Sequence, residues 1–129
     1  MYYDEKTARA LIIEAGHRLL ENKLVARTWG NLSARISEDA FIITPSGRAY
    51  DTLAPEDLVK VCIRDLSYEG DRKPSSEKGI HAQAYLLRPD CSFIIDDGRI
   101  ANLANRTDRV LREAHNLEKM YLNGAFADV

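Results

Sequence analysis

Along this chain the spacing of apolar residues changes from that of a helix to that of short strands and back again. Apolar residues first recur at intervals of three and four, which predicts a surface helix that ends near Asn22. The members of this stripe are Ala8, Leu11, Ile12, Ala15 and Leu19. The same period returns at Ile80, Ala84 and Leu87, and again over residues 106–121. Three helices are therefore expected.

Between the helical segments lie apolar stretches that have the length of strands. Residues 32–36 and 41–44 flank the polar turn 37–39, and this pattern predicts a hairpin. Residues 58–63 are rich in β-branched side chains, which predicts a strand at the centre of the sheet. Residues 92–95 predict a short buried strand. We expect an α/β fold, a mostly antiparallel central sheet flanked by helices.

Length and composition favour one domain over residues 1–129. The chain is 45% hydrophobic and 29% charged, which is typical of a globular domain. Its net charge of -2 argues against partners such as nucleic acid or an anionic membrane. There is no apolar run of bilayer length and no signal-peptide pattern at the N-terminus, so a cytoplasmic location is expected. Cys62 and Cys91 lack partners at metal-site spacing and are expected to be reduced thiols.

A Ser-Ser-Glu motif precedes the second predicted helix. Pro74 ends any earlier helix, and Ser75 or Ser76 can cap the new one. The first turn of a helix leaves N–H groups unpaired and carries the positive end of the dipole, so an anion is favoured there. Glu77 then lies within one turn of that anion as a candidate acid or base. The alternative is ordinary capping, with Glu77 only offsetting the dipole.

Two further turns carry residues that suit an anion site. Gly30 and Asn31 form the first, and Ser46 and Gly47 form the second. Glycine lets the backbone approach a ligand closely, while asparagine and serine add side-chain donors. Turn geometry alone is the alternative explanation for both.

One of the three histidines has a spacing that suggests chemistry. His81 follows Glu77 by four residues and therefore shares its helical face, so the two can tune a proton-transfer group. An ordinary polar pair on the helix is the alternative. His17 and His115 lie on different predicted helices without ligand spacing, which favours roles at the surface or the edge of the core.

The order of these motifs resembles the class II aldolase/adducin family. The matching segments are Thr-Trp-Gly-Asn-Leu-Ser-Ala-Arg at 28–35, Ile-Thr-Pro-Ser-Gly at 43–47, Lys-Pro-Ser-Ser-Glu at 73–77 and Arg-Pro-Asp at 88–90. The resemblance implies a shortened form of a fold used by zinc-dependent aldolases and epimerases of phosphorylated sugars. It also implies a homo-oligomer.

The resemblance assigns roles to residues of this chain. Glu77 takes the position of the glutamate that moves the proton. The positions that hold the substrate phosphate fall on Gly30, Asn31, Ser46, Gly47, Ser75 and Ser76.

The chain departs from the family at the metal. Where active members carry a His-x-His pair for zinc, this chain has Asp96, Asp97 and Gly98, and no histidine matches the third zinc ligand. The expectation is therefore no zinc and no other cofactor. Asp96 and Asp97 are hard oxygen ligands that suit magnesium or calcium better than zinc, but Asp-Asp-Gly is also a common turn sequence, and the turn is our favoured interpretation.

Three functional hypotheses follow from the resemblance. The first is an aldolase-like protein that keeps an anion pocket for a phosphorylated sugar or related metabolite, without zinc and without ordinary aldol cleavage. The second is an active carbon-carbon lyase or epimerase that uses a metal held by Asp96, by Asp97 or by another subunit. The third is an adducin-like interaction module with no catalytic role.

Overall fold

The computed structural model describes residues 2–22 and 30–96. These residues form two helices and four strands, with the single-turn 3-10 helices Tyr50–Thr52 and Pro55–Asp57 between the second and third strands. In chain order the main elements are α1 (Glu5–Glu21), β1 (Asn31–Arg35), β2 (Ala40–Ile43), β3 (Val59–Cys62), α2 (Lys78–Leu87) and β4 (Phe93–Asp96). The predicted helix over 106–121 lies outside the described residues.

Helix α1 confirms the apolar stripe. Asp4 caps it, with its side chain accepting the N–H of Thr7 at 2.7 Å. The helix ends at Glu21 with Asn22 as the C-cap, as the sequence predicts. Four members of the stripe are buried, namely Ala8, Ile12, Ala15 and Leu19, and Leu11 packs against them half-buried.

The hairpin is also confirmed. Strands β1 and β2 pair antiparallel, with Ser33 opposite Ile43 and Arg35 opposite Phe41. The turn closes where Ile36 donates its N–H to the carbonyl of Ala40 at 3.0 Å. Strand β4 pairs antiparallel with the other side of β1, so β1 lies inside the sheet and all five of its residues are buried.

The prediction that residues 58–63 form a central strand is wrong. The order of the described sheet is β3-β2-β1-β4, which places β3 at an edge. The outer side of β3 is covered by the loop that follows it, because Cys62 donates to the carbonyl of Ser67 at 2.8 Å and Glu69 donates to that of Lys60 at 3.4 Å. This cover and the core bury the apolar residues of β3, and among residues 2–22 and 30–96 no further strand pairs with it.

The two helices lie against opposite faces of the sheet. Leu32 faces α1, since a Cβ placed on Gly16 would lie 3.6 Å from its Cδ1. The next residue along β1, Ser33, contacts His81 and Tyr85 of α2. Successive strand residues point to opposite faces, so the face of β1 that carries Ser33 also carries Asn31. The expected α/β fold, an antiparallel sheet flanked by helices, is thus what the structure shows.

Two smaller expectations concern the cysteines and the membrane. Cys62 and Cys91 are not joined to each other by a disulfide; Cys91 is buried and Cys62 is half-buried. Within residues 2–22 and 30–96, neither helix combines the length and the apolar character needed to cross a bilayer.

Candidate functional site

The three turns that the sequence singles out meet at one end of the sheet. The second and third are joined by a bridge between Pro45 and Pro74. Ser46 donates its N–H to the carbonyl of Lys73 at 2.9 Å, and Ser75 donates to that of Thr44 at 3.0 Å. The antiparallel order of β1 and β2 explains the convergence, because the first strand begins where the second ends.

The first turn joins this group through Thr44 and Glu77. Leu32, which directly follows Asn31, donates its N–H to the hydroxyl of Thr44 at 3.2 Å. The side-chain amide of Asn31 donates to Oε2 of Glu77. The structure therefore brings all the predicted anion-site positions together, and phosphate binding by them stays a prediction.

The serine pair does not cap α2 in the way the sequence suggests. The helix begins at Lys78 with Glu77 at the N-cap. The hydroxyl of Ser75 accepts the N–H of Glu77 at 3.1 Å, one residue before the helix. Ser75 is buried and Ser76 is exposed. Pro74 is engaged in the bridge to Pro45, so the chain is still extended there and enters the helix only after residues 75–77.

Several donors of the predicted anion site are not engaged by any of the described residues. The N–H groups of Ser46, Ser75 and Glu77 are engaged. In the described part of the chain, no acceptor engages the N–H groups of Gly47 and Ser76 or the hydroxyls of Ser46 and Ser76. Gly47 has a φ of 71°, which a glycine adopts without strain. These exposed donors surround the start of α2.

Glu77 is held at the centre of the site. It is buried, and the contact from Asn31 fixes one carboxylate oxygen, Oε2. The other oxygen, Oε1, is buried without a hydrogen-bond partner among the described residues. A carboxylate with one oxygen fixed and one open is suited to accept a proton or a hydroxyl from a ligand.

His81 does not pair with Glu77 as the sequence suggests. The ring is fully buried, and its Nδ1 lies 2.7 Å from the hydroxyl of Ser33. The Ser33 hydroxyl also lies 2.7 Å from the hydroxyl of Tyr85. Burial lowers the pKa of His81 from 6.5 to about 3, so the ring is neutral at physiological pH.

Ser33 and Tyr85 were missed by sequence reasoning. A signal for Tyr85 was present, because Glu77, His81 and Tyr85 recur every four residues and share one face of α2. Ser33 follows Asn31 at the strand interval of two. The pairing of that strand face with that helix face is tertiary information.

The favoured turn interpretation of the Asp-Asp-Gly sequence is wrong for Asp96, the one residue of the three that the structure describes. Asp96 is the last residue of β4, is fully buried, and pairs with Asn31 across the sheet. Its Oδ2 lies 3.9 Å from Nε2 of His81. The apolar residues 93–95 extend the strand up to it, and antiparallel pairing with β1 outweighs the local turn preference. Asp97 lies outside the described residues.

The resemblance implies a zinc ion, so the ligands that zinc requires are the relevant test of this site. Zinc prefers nitrogen and sulfur ligands in a closed tetrahedral set. At the first zinc position implied by the resemblance stands the carboxylate of Asp96. Across the described ranges, no three side chains of His, Cys, Asp or Glu converge as a metal site. The other two residues of the implied zinc pair's segment, Asp97 and Gly98, lie outside the described residues.

Two arginines beside the site form ion pairs with the same carboxylate, that of Asp57. Asp57 is buried, and its Oδ1 lies 2.7 Å from Arg72 while its Oδ2 lies 3.6 Å from Arg48. Oδ2 also accepts the N–H of Ala54 at 2.9 Å. Arg48 directly follows Gly47 in the second turn. The two arginines held by Asp57 therefore add positive charge beside the exposed hydrogen-bond donors of that turn.

A polar cleft of about 590 Å³ lies beside β3 and adjoins the site at Arg72. Its charged lining includes Arg9, Lys60, Glu69 and Arg72. None of the predicted anion-site residues lines it. We therefore assign the candidate site to the convergence of the three turns.

Comparison with known families places these features in context. The Class II Aldolase and Adducin N-terminal domain family matches residues 10–95. Because this match covers more than half of the chain, the protein belongs to that family. The resemblance found from the motifs is confirmed.

Similar proteins share the fold and extend beyond this chain. A methylthioribulose-1-phosphate dehydratase from Pseudomonas syringae pv. tomato is 29% identical over 114 residues, which cover 85% of this chain and 56% of that protein. A solved L-fuculose 1-phosphate aldolase matches with a TM-score of 0.64 and 35% identity, over 69% of this chain and 42% of that one. The L-fuculose-1-phosphate aldolase of Thermus thermophilus matches with a TM-score of 0.57 and 29% identity, over 71% and 47%. The chain thus spans about half the length of these proteins.

Proposed function

We propose that this protein binds a phosphorylated sugar or a related metabolite in the pocket formed by the three turns, and that it does not carry out zinc-dependent aldol cleavage. The observation that carries the proposal is the convergence of Asn31, Ser46, Gly47 and the Ser75–Ser76 pair at the start of α2. These residues are separate in sequence and are brought together by the pairing of 44–46 with 73–75.

The chemistry of the pocket favours an anion. The first turn of α2 contributes the positive end of the helix dipole. The hydroxyls of Ser46 and Ser76 and the N–H groups beside them add neutral donors. A phosphate accepts several such hydrogen bonds at once, and bonds to a charged group are about twice as strong as neutral ones. Aldolase and dehydratase relatives named for sugar phosphates are consistent with this ligand.

The same residues argue against aldol cleavage. An enediolate formed beside a carbonyl needs its negative charge stabilised, which a Lewis acid or a cluster of donors provides. Asp96 places a carboxylate, rather than an imidazole, at the first zinc position. A second negative group there disfavours an enediolate unless a cation neutralises both.

Calorimetric titration tests the proposal directly. We expect L-fuculose 1-phosphate and inorganic phosphate to bind to the protein as isolated. Ser76→Ala removes one hydrogen-bond donor and is expected to weaken the binding of both ligands at least tenfold, since a hydrogen bond to a charged group contributes about 1.5–3 kcal/mol. Ser67→Ala is the matched control, because Ser67 is an exposed loop serine whose hydroxyl donates to Asp65 rather than to a residue of the three turns.

Two results would contradict this proposal. Absence of phosphate binding would favour the adducin-like interaction module instead. Stoichiometric zinc in the purified protein, together with turnover of sugar phosphates, would refute the loss of aldol chemistry.

A second candidate is an active sugar-phosphate lyase or epimerase, and the geometry of Glu77 favours it. Asn31 fixes Oε2 and leaves Oε1 open, as a proton-transfer group requires. Assays of cleavage and epimerisation with added zinc or magnesium separate the candidates. Activity that is lost in Glu77→Gln would support the second; absence of activity with retained phosphate binding would support the first. The predicted homo-oligomer is tested in the same samples by light scattering.

A further inference from the structure

A chain of hydrogen bonds inside the fold determines which nitrogen of His81 carries the proton. The hydroxyl of Ser33 lies 2.7 Å from both the hydroxyl of Tyr85 and Nδ1 of His81. Burial raises the pKa of Tyr85 well above its ordinary value, so the phenol keeps its proton. Among the described residues, the Ser33 hydroxyl is the acceptor within reach of that phenol.

The direction of each bond follows from satisfying the buried phenol. A buried Tyr hydroxyl normally donates its proton, so Tyr85 donates to Ser33. Ser33 has one proton of its own, and among the described residues Nδ1 of His81 is the remaining atom within hydrogen-bonding distance that can accept it. A neutral ring that accepts at Nδ1 carries its proton at Nε2. The fold thus presents Nε2 of His81 as a hydrogen-bond donor.

This donor faces Asp96 across a gap too long for a direct hydrogen bond. Nε2 of His81 lies 3.9 Å from Oδ2 of Asp96. In the described part of the chain, Nε2 has no hydrogen-bond partner. One oxygen atom placed about 2.8 Å from each of the two atoms would accept from Nε2 and donate to the carboxylate. A hydroxyl group is the ligand group that can do both.

We propose that His81 and Asp96 form a subsite for a hydroxyl of the ligand, and that Ser33 is a positioning residue that fixes the His81 tautomer. The inference rests on the proposed function, because the ligand that brings the hydroxyl is held by its phosphate at the three turns. It adds which residues hold a hydroxyl of that ligand.

Two neighbouring atoms fit the same ligand class. Oδ1 of Asn31 and Oε1 of Glu77 are buried and have no hydrogen-bond partner among residues 2–22 and 30–96. Buried polar atoms are normally satisfied by protein, water or ligand. Both are acceptors, so they match further hydroxyl protons. Asn31 also pairs with Asp96 across the sheet, which places these acceptors beside the subsite.

The tautomer is tested first, by 15N NMR of the histidine rings in the full chain. We expect His81 to carry its proton at Nε2 in the native protein and in Tyr85→Phe, where Ser33 can still donate to Nδ1. In Ser33→Ala this preference is expected to be lost. A ring protonated at Nδ1 in the native protein would overturn the inference.

Binding tests the subsite, with L-fuculose 1-phosphate and inorganic phosphate as probes. In Ser33→Ala the loss of one neutral hydrogen bond is expected to weaken binding of the sugar phosphate about fivefold, while the affinity for inorganic phosphate stays unchanged. Asp96→Asn, which keeps the shape of the side chain, is expected to weaken the sugar phosphate more strongly, again with inorganic phosphate unchanged. Ser67→Ala should leave both affinities as they are.

The outcomes separate this inference from the proposed function. Inorganic phosphate that fails to bind the native protein would contradict the anion pocket and, with it, the phosphate-anchored ligand. Equal affinities of native protein and both variants for the sugar phosphate would overturn the hydroxyl subsite alone and assign the gap to a buried water. Equal weakening of both probes would assign Ser33 and Asp96 a merely structural role, and this too would overturn the subsite.

Discussion

Acidification is expected to destabilise this protein through the buried ring of His81. The ring is fully buried, and its pKa falls from 6.5 to about 3 because burial penalises the charged form. Between these two values the unfolded chain binds a proton at His81 that the folded chain does not bind. The free energy of unfolding therefore decreases as the pH falls below 6.5.

The size of this effect follows from the pKa difference. From pH 7 to pH 5 the contribution of His81 is a loss of about 2 kcal/mol, at about 1.4 kcal/mol per pH unit below 6.5. The carboxyl group of Asp96 acts in the opposite direction, since it lies 3.9 Å from Nε2 and favours a charged ring. Glu77 on the preceding turn of α2 adds to that opposing effect. We expect burial to dominate, because both His81 and Asp96 are fully buried.

Urea denaturation of the native protein and of His81→Gln at pH 7 and pH 5 measures the effect. The native protein should lose about 2 kcal/mol more than the variant over this interval. Subtracting the variant removes the contribution of all other titrating groups that both proteins share. Equal losses, or a smaller loss in the native protein, would refute the reasoning and indicate a stabilising ion pair between His81 and Asp96.

Two further predictions concern the turns around the site. Asp57→Ala is expected to lower the free energy of unfolding by about 2–3 kcal/mol, mainly because the N–H of Ala54 loses a charged acceptor. Asp57→Asn keeps an acceptor for that N–H. Its free energy of unfolding should fall by less than about 1 kcal/mol, since the ion pairs to Arg48 and Arg72 are partly exposed. Equal losses in thermal or urea unfolding would show that the ion pairs dominate. Gly47→Ala should lose about 1 kcal/mol from its φ of 71° alone, because an added Cβ meets no atom within 4 Å; an unchanged melting temperature would mean that the turn relaxes.

Much of the fold is readable from local patterns. The apolar stripe of α1, the hairpin turn and the end of α2 before Pro89 are set by residues close in sequence, and each was predicted within about two residues. The family motifs likewise located Asn31 and Glu77, which the structure shows in contact.

Side-chain period and turn chemistry are local properties, so the sequence predicts the described helices and strands and names candidate residues for an anion site. The relative positions of those segments come from the tertiary fold. The position of β3 at the sheet edge, the burial of Asp96 in β4 and the contact of Ser33 with Tyr85 depend on strand order and on which helix covers which face. Those choices arise from packing between residues that are far apart in the chain, and no local pattern encodes them.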